Sequence, residues 1–154
     1  MTAPNDTQRS QMLKTVTWSE HFTDAEIEAI SEHLQVRTHP KGDTVFLQGD
    51  PGDFLCFLVS GSVGIAKDVT DTRDHIVVTI KPGTHFGELS FADGKPRSAS
   101  AIANEDSVLL ILTREGFDAL AAEHPHLGIK VLQHMLHLVS TRLRLTTREL
   151  VYRV

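Results

Sequence analysis

The chain has 154 residues, 40% of them hydrophobic and 23% charged, with 20 acidic against 15 basic residues and a formal net charge of -5. That length suits one domain, or one domain with a helical extension, and is enough to bury a real core. An acidic chain without a basic run lacks the phosphate-neutralising surface from which nucleic-acid binders draw most of their affinity, and the single cysteine, Cys56, excludes an internal disulfide framework. Cys56 lies in an apolar run and is expected as a small buried residue of a strand. No apolar run approaches the roughly 20 residues of a membrane span. The opening M-T-A-P-N-D-T-Q-R-S-Q is polar and has no signal-peptide centre. The expectation is a cytoplasmic protein that binds neither nucleic acid nor membrane.

Residues 1–16 are expected as a polar tail, frayed over the first 12, ahead of a single domain over 17–154. From Trp18 to Leu34 the pattern is helical. Thr23 and Glu26 have capping-box spacing, and Phe22 and Ile27 stand where a hydrophobic staple forms. Between Val36 and Leu112 the rhythm changes to short apolar or alternating runs: Thr44–Leu47, Phe54–Val59, Val63–Ala66, His75–Ile80, Ala99–Ala103 and Val108–Leu112. Gly, Pro and Asn turns separate them, and the polar stretch 68–74 reads as a hairpin tip. Many short strands at even spacing predict a mostly β sandwich or barrel, with about eight strands and flanking helices.

After Thr113 the helical period returns, broken near Glu123-His124-Pro125, and the last helix is expected over about 126–150. One apolar stripe on it runs Leu132, Leu136, Val139, Leu143, Thr146, Leu150, at heptad steps. A second runs Val131, Met135, Leu138, Arg142, Leu145. Two adjacent stripes predict a helix that packs on two surfaces.

The stretch that carries chemistry is Phe86 to Ser100, F-G-E-L-S-F-A-D-G-K-P-R-S-A-S. Gly87 lets backbone approach a ligand closely. Glu88–Phe91 predicts one helical turn whose free N–H groups suit an anion. Arg97 follows nine residues after Glu88, with Ser98 beside it. A guanidinium makes paired, charge-assisted bonds to phosphate, and an ionised carboxylate accepts from a hydroxyl. Together these groups can hold a cyclic phosphate and an adjacent ribose hydroxyl.

This stretch resembles the phosphate-binding cassette of the cyclic-nucleotide-binding domain family, with the Glu-to-Arg spacing of its protein kinase A regulatory members. The F-L-Q-G-D turn, S-G-S-V, P-G-x-x-F-G-E and R-L-R-L-T-T extend the resemblance over about residues 18–150. The resemblance implies a double-stranded β-helix, or jelly-roll β-roll, with an N-terminal helix, a short cassette helix and a long C-terminal helix. It implies a cyclic nucleotide as ligand, cAMP more than cGMP, with no other cofactor. Glu88 would take the ribose 2′-hydroxyl and Arg97 the phosphate, helped by Ser98 and the amides around Gly87, Leu89 and Ala99. Val77 and Val78, in the strand before the cassette, are candidates for the base wall or for plain core.

The segment T-R-L-R-L-T-T-R-E-L is similar to the dimer helix of the catabolite-activator branch. There Thr146 and Thr147 would meet the adenine, and Arg142 would lie near Glu88 and the ribose. A homodimer through this helix and an unidentified protein partner follow as expectations. That branch continues into a helix-turn-helix domain, whereas this chain stops at Val154, so transcription-factor activity is not carried over. The reading is a regulatory sensor and not an enzyme. Its rivals are a module of the same fold with another effector or none, and the regulatory end of a channel or transporter.

Nine histidines raise a metal reading. His134 and His137 sit at i, i+3, and His124 and His126 flank Pro125, but neither pair has a Cys or acidic ligand at a fixed spacing, and zinc sites recruit three or four ligands. No metal is expected. A metal-dependent enzyme using His75, His85 and Glu88 lacks the H-x-H…E spacing, and no Ser/His/Asp or Cys/His arrangement stands out.

Overall fold

The computed structural model describes the backbone of residues 6–68 and 75–153 and the side chains of residues 8–67 and 78–145. Helix α1 (Asp6–Lys14), a 3-10 turn (Thr17–His21) and α2 (Asp24–Ser31) precede the strands. These are β1 (Leu34–His39), β2 (Thr44–Phe46), β3 (Phe54–Ser60), β4 (Val63–Asp68), β5 (His75–Ile80), β6 (His85–Phe86), β7 (Ser100–Ala103) and β8 (Ser107–Thr113). Helix α3 (Glu88–Asp93) lies between β6 and β7, and α4 (Arg114–Glu123) and α5 (Pro125–Arg153) close the chain. The expected β-roll with flanking helices is the observed architecture.

The strands form two antiparallel four-stranded sheets, ordered β1-β8-β3-β6 and β2-β7-β4-β5. Side chains of a strand alternate between faces, and β3 and β8 use both faces. Leu55, Phe57, Leu110 and Leu112 enter the core beneath the helices, while Cys56, Leu58, Leu109 and Ile111 enter the core between the sheets. Covering both faces requires the unbroken apolar runs F-L-C-F-L-V and V-L-L-I-L. Phe57 is fully buried, and truncating such a side chain costs about 3–5 kcal/mol. Burial pushes the Cys56 thiol up to about 12, which leaves it an inert core residue.

The N-terminus corrects the expected tail. Residues 6–14 are helical, and Leu13 and Val16 are buried in the helical core. The apolar residues that anchor this segment come only at its end, so its polar beginning hides them. Strand β1, at the edge of the first helical pattern, was not among the expected runs. It pairs with β8 from Leu34 opposite Leu112 to His39 opposite Ser107. Residues 69–74 lie outside the described residues, but β4 and β5 on either side pair antiparallel up to Asp68 opposite His75.

The capping box is present: Thr23 N donates to Glu26 Oε1 at 2.9 Å, and Glu26 N donates to Thr23 Oγ1 at 3.2 Å. The same carboxylate accepts from Lys130 Nζ at 2.8 Å, so the start of α2 is tied to α5. That bond, first among the causes, holds the Glu26 carboxyl below its ordinary pKa. Trp18 and Phe22 pack with tilted rings, centroids 4.4 Å apart, and α5 seats Val131 and Met135 in the same core. The two stripes of α5 separate in its first half, whereas Leu145 of the second stripe is 53% exposed. Val131 and Met135 face inward, while Leu132, Leu136 and Leu143 are 48%, 69% and 64% exposed. Among the described residues no helix is long and apolar enough to cross a membrane.

Candidate ligand site

A cavity of about 300 Å³ opens between the second sheet, the cassette and α5. Phe46 of β2, Ile65 of β4, and Val78 and Ile80 of β5 form its apolar walls. Its polar groups come from one stretch of chain and one helix: Glu88, Ser90, Arg97, Ser98 and Arg142. Gly87, Leu89 and Ala99 complete the lining with Phe86. Eight of the expected residues, Val78, Gly87, Glu88, Leu89, Arg97, Ser98, Ala99 and Arg142, therefore meet at one cavity. The side chains of Val77, Thr146 and Thr147 lie outside the described residues. Phe46, Ile65, Ile80, Phe86 and Ser90 were not singled out from sequence.

Arg97 is 3% exposed and held from every side. Its Nη1 donates to Gly87 O at 2.9 Å and its Nη2 to Phe54 O at 2.6 Å. The guanidinium carbon lies 4.1 Å from the centre of the Phe46 ring and 4.5 Å from that of Phe54, a cation in the corner that the two rings make with each other. Its backbone is fixed by the F-L-Q-G-D turn: Arg97 N donates to Asp50 O and Gly49 N donates to Arg97 O, both at 2.8 Å. The Nε–H has no partner, and no carboxylate lies within 4.0 Å of the guanidinium among the described residues. Burial pulls its pKa down from the ordinary value, yet a guanidinium stays charged. A cation has been buried beside a cavity without an anion to pair with.

Two backbone features make room for this arrangement. Gly87, at φ +82°, starts α3 in the left-handed region, and a Cβ there would stand 2.8 Å from Arg97 Nη1. Gly52 has no positive φ, but a Cβ on it would meet Ser90 Cβ at 2.3 Å and Arg97 Nε at 2.9 Å.

The cavity lining also holds an ion pair. Glu88 is buried, and its Oε1 accepts from Arg142 Nη1 of α5. Arg142 Nη2 also donates to His85 O at 3.0 Å, so α5 is pinned to the strand and helix that bracket Gly87. His85 is itself buried, with Nδ1 3.9 Å from Glu88 Oε2. Desolvation, opposed by Glu88 and aided by Arg142, lowers the His85 pKa to about 4, so its ring is neutral near neutral pH.

Residues 36–124 match the family model for the cyclic nucleotide-binding domain. The chain belongs to the cyclic nucleotide-binding domain family. It is 32% identical over 124 residues to the CRP-like cAMP-activated global transcriptional regulator of Mycobacterium tuberculosis, which covers 80% of this chain and 54% of the relative. It is 35% identical over 125 residues to the cyclic AMP receptor protein of Thermus thermophilus, covering 81% and 56%. The chain thus spans about half the length of the curated relatives it matches. The crystal structure of a cyclic nucleotide-binding domain from Methylobacillus flagellatus superposes with a TM-score of 0.82 at 27% identity, covering 97% of this chain and 84% of that one. The stretch from Phe86 to Ser100 lies within the matched residues and supplies both Glu88 and Arg97 to the cavity.

Proposed function

We propose that this domain is a cyclic-nucleotide sensor, with cAMP the preferred ligand, and that it catalyses no reaction. The observation that carries the reading is the buried Arg97 cation, which lines the cavity and has no carboxylate within 4.0 Å among the described residues. A cyclic phosphate supplies the missing anion, and the guanidinium fork suits it. The Glu88 carboxylate, also in the lining, is an acceptor and suits the ribose 2′-hydroxyl. At about 300 Å³ the cavity stands near the lower end of small-molecule sites, roughly 300–1,000 Å³, as a mononucleotide requires. Two relatives are named for cAMP, which supports that nucleotide over cGMP. Arg142 links α5 to the glutamate, so occupancy of the cavity and the position of α5 are coupled, and ligand shifts that equilibrium.

Melting curves with cAMP, cGMP and cyclic dinucleotides test this reading. At free ligand of ~100 times Kd, linkage adds about 2.7 kcal/mol, which raises the melting temperature by several degrees. cAMP is expected to give the largest rise. No shift with cAMP or cGMP at millimolar concentration refutes the sensor, and a shift with a dinucleotide alone moves the assignment to another effector.

The outward stripe of α5 favours a homodimer as the output surface. Leu132, Leu136 and Leu143 are exposed at heptad steps with Val139 between them. Sedimentation of wild-type protein is expected to show a dimer that Leu136→Asp dissociates, because an unpaired charge in an apolar seam is costly. Leu136 is exposed in the single chain, so this variant leaves the fold intact. A monomer with and without cAMP sinks the seam.

A further inference from the structure

Away from the cavity, a second cluster of ligating side chains forms where the two ends of the domain meet. Helix α2 ends at Ser31, and the chain turns through Glu32 and His33 before β1 begins at Leu34. Glu123, the last residue of α4, reaches the same place, with its Oε2 3.2 Å from His33 Nε2. One ligand atom from each of Glu32, His33 and Glu123 lies within 4.8 Å of the others. The His33 side chain is only 13% exposed, so packing holds the imidazole, whereas Glu123 is 56% exposed and Glu32 is exposed as well.

A hydrogen bond between His33 and Glu123 accounts for two members of the cluster but not for Glu32. Two carboxylates converge on one imidazole, and no Lys or Arg lies within 4.0 Å of either among the described residues. Like charges at that distance repel unless a cation stands between them. A cavity of about 470 Å³, lined by Glu26, Glu123, His124 and His126, adjoins Glu123 and leaves it open to solution.

We propose that Glu32, His33 and Glu123 form a site for a divalent transition cation of the zinc type. An imidazole among the donors suits zinc, copper or nickel, where carboxylates alone suit magnesium or calcium. Zinc bonds of about 2.0–2.2 Å place ligand atoms roughly 3.3–3.6 Å apart at the tetrahedral angle. The His33–Glu123 pair already stands at 3.2 Å, and Glu32, exposed, closes by a change of rotamer. Three protein ligands leave one position open. The ion would clamp the α2–β1 turn to the end of α4, two residues before Pro125 starts α5. The short-range spacing of the histidine pairs did not point here, because Glu123 is 90 residues from His33.

Untagged full-length protein is titrated with zinc chloride in a calorimeter, in a buffer that does not chelate. One saturable site is expected, and excess magnesium does not displace the zinc. Glu32→Gln, a change at an exposed residue that leaves the fold in place, and His33→Gln each lower the affinity at least about tenfold. The double variant His124→Gln/His126→Gln binds as wild type does. Absence of saturable binding, binding untouched by both Glu32→Gln and His33→Gln, loss of binding in the His124/His126 variant, or displacement by magnesium each overturns the site.

Discussion

Arg97→Ala is expected to lower the affinity for cAMP by roughly two to four decades, as calorimetric titration will measure. Removing one partner of a buried ion pair costs about 3–5 kcal/mol, which corresponds to that range. The penalty is large because the phosphate would lose the buried guanidinium that pairs with it, while Arg142, the other cation lining the cavity, is already bonded to Glu88. Arg97→Lys separates charge from geometry. A lysine keeps the charge but loses the planar group packed against Phe46 and Phe54 and the fork that reaches two carbonyls, so an intermediate loss is expected. Affinity of Arg97→Ala within threefold of wild type would remove the phosphate from this residue.

The residues that could be read from sequence are those whose chemistry is unusual for their setting. Glu88 and Arg97 stand nine apart in a glycine- and proline-punctuated stretch, which no helix or strand pattern explains. Arg142 was harder, being one polar residue in an apolar stripe; spacing did not mark it, and only the family resemblance put it near Glu88, 54 residues away in the chain, to which its Nη1 donates. The apolar walls were not legible as walls. Phe46, Ile65 and Ile80 look like any strand residues, and only the pairing of β2, β7, β4 and β5 shows that they face a cavity. The two stripes on α5 predicted packing on two surfaces; one is the helical core that takes Val131 and Met135, and Leu136 and Leu143 leave the other face exposed in the single chain. Helix α1 failed the opposite test, since its polar face fills its first residues and Leu13 comes near its end.

Gly52→Ala is the more demanding expectation, because residue 52 does not line the cavity and looks like an ordinary turn glycine in G-D-P-G-D. Its backbone has no positive φ, so alanine suits the conformation and the constraint is one of space. The new Cβ would stand 2.3 Å from Ser90 Cβ and 2.9 Å from both Ser90 Oγ and Arg97 Nε. Ser90 is buried within α3 and cannot turn its own Cβ away, so either the helix or the turn must move. The turn is bonded to Arg97 through Asp50 O and Gly49 N, and moving it drags the guanidinium from its seat between Phe46 and Phe54. Overpacking of this kind costs about 1–3 kcal/mol, and the melting temperature is expected to fall by several degrees. Because the same displacement misplaces the phosphate ligand, affinity for cAMP is expected to fall at least about tenfold. Adding Ser90→Gly removes the closest clash and should restore part of both losses, with the glycine itself costing about 1 kcal/mol in α3. If Gly52→Ala melts and binds as the wild type does, the turn does not hold Arg97 in place, and the account of how the F-L-Q-G-D segment serves the site is wrong.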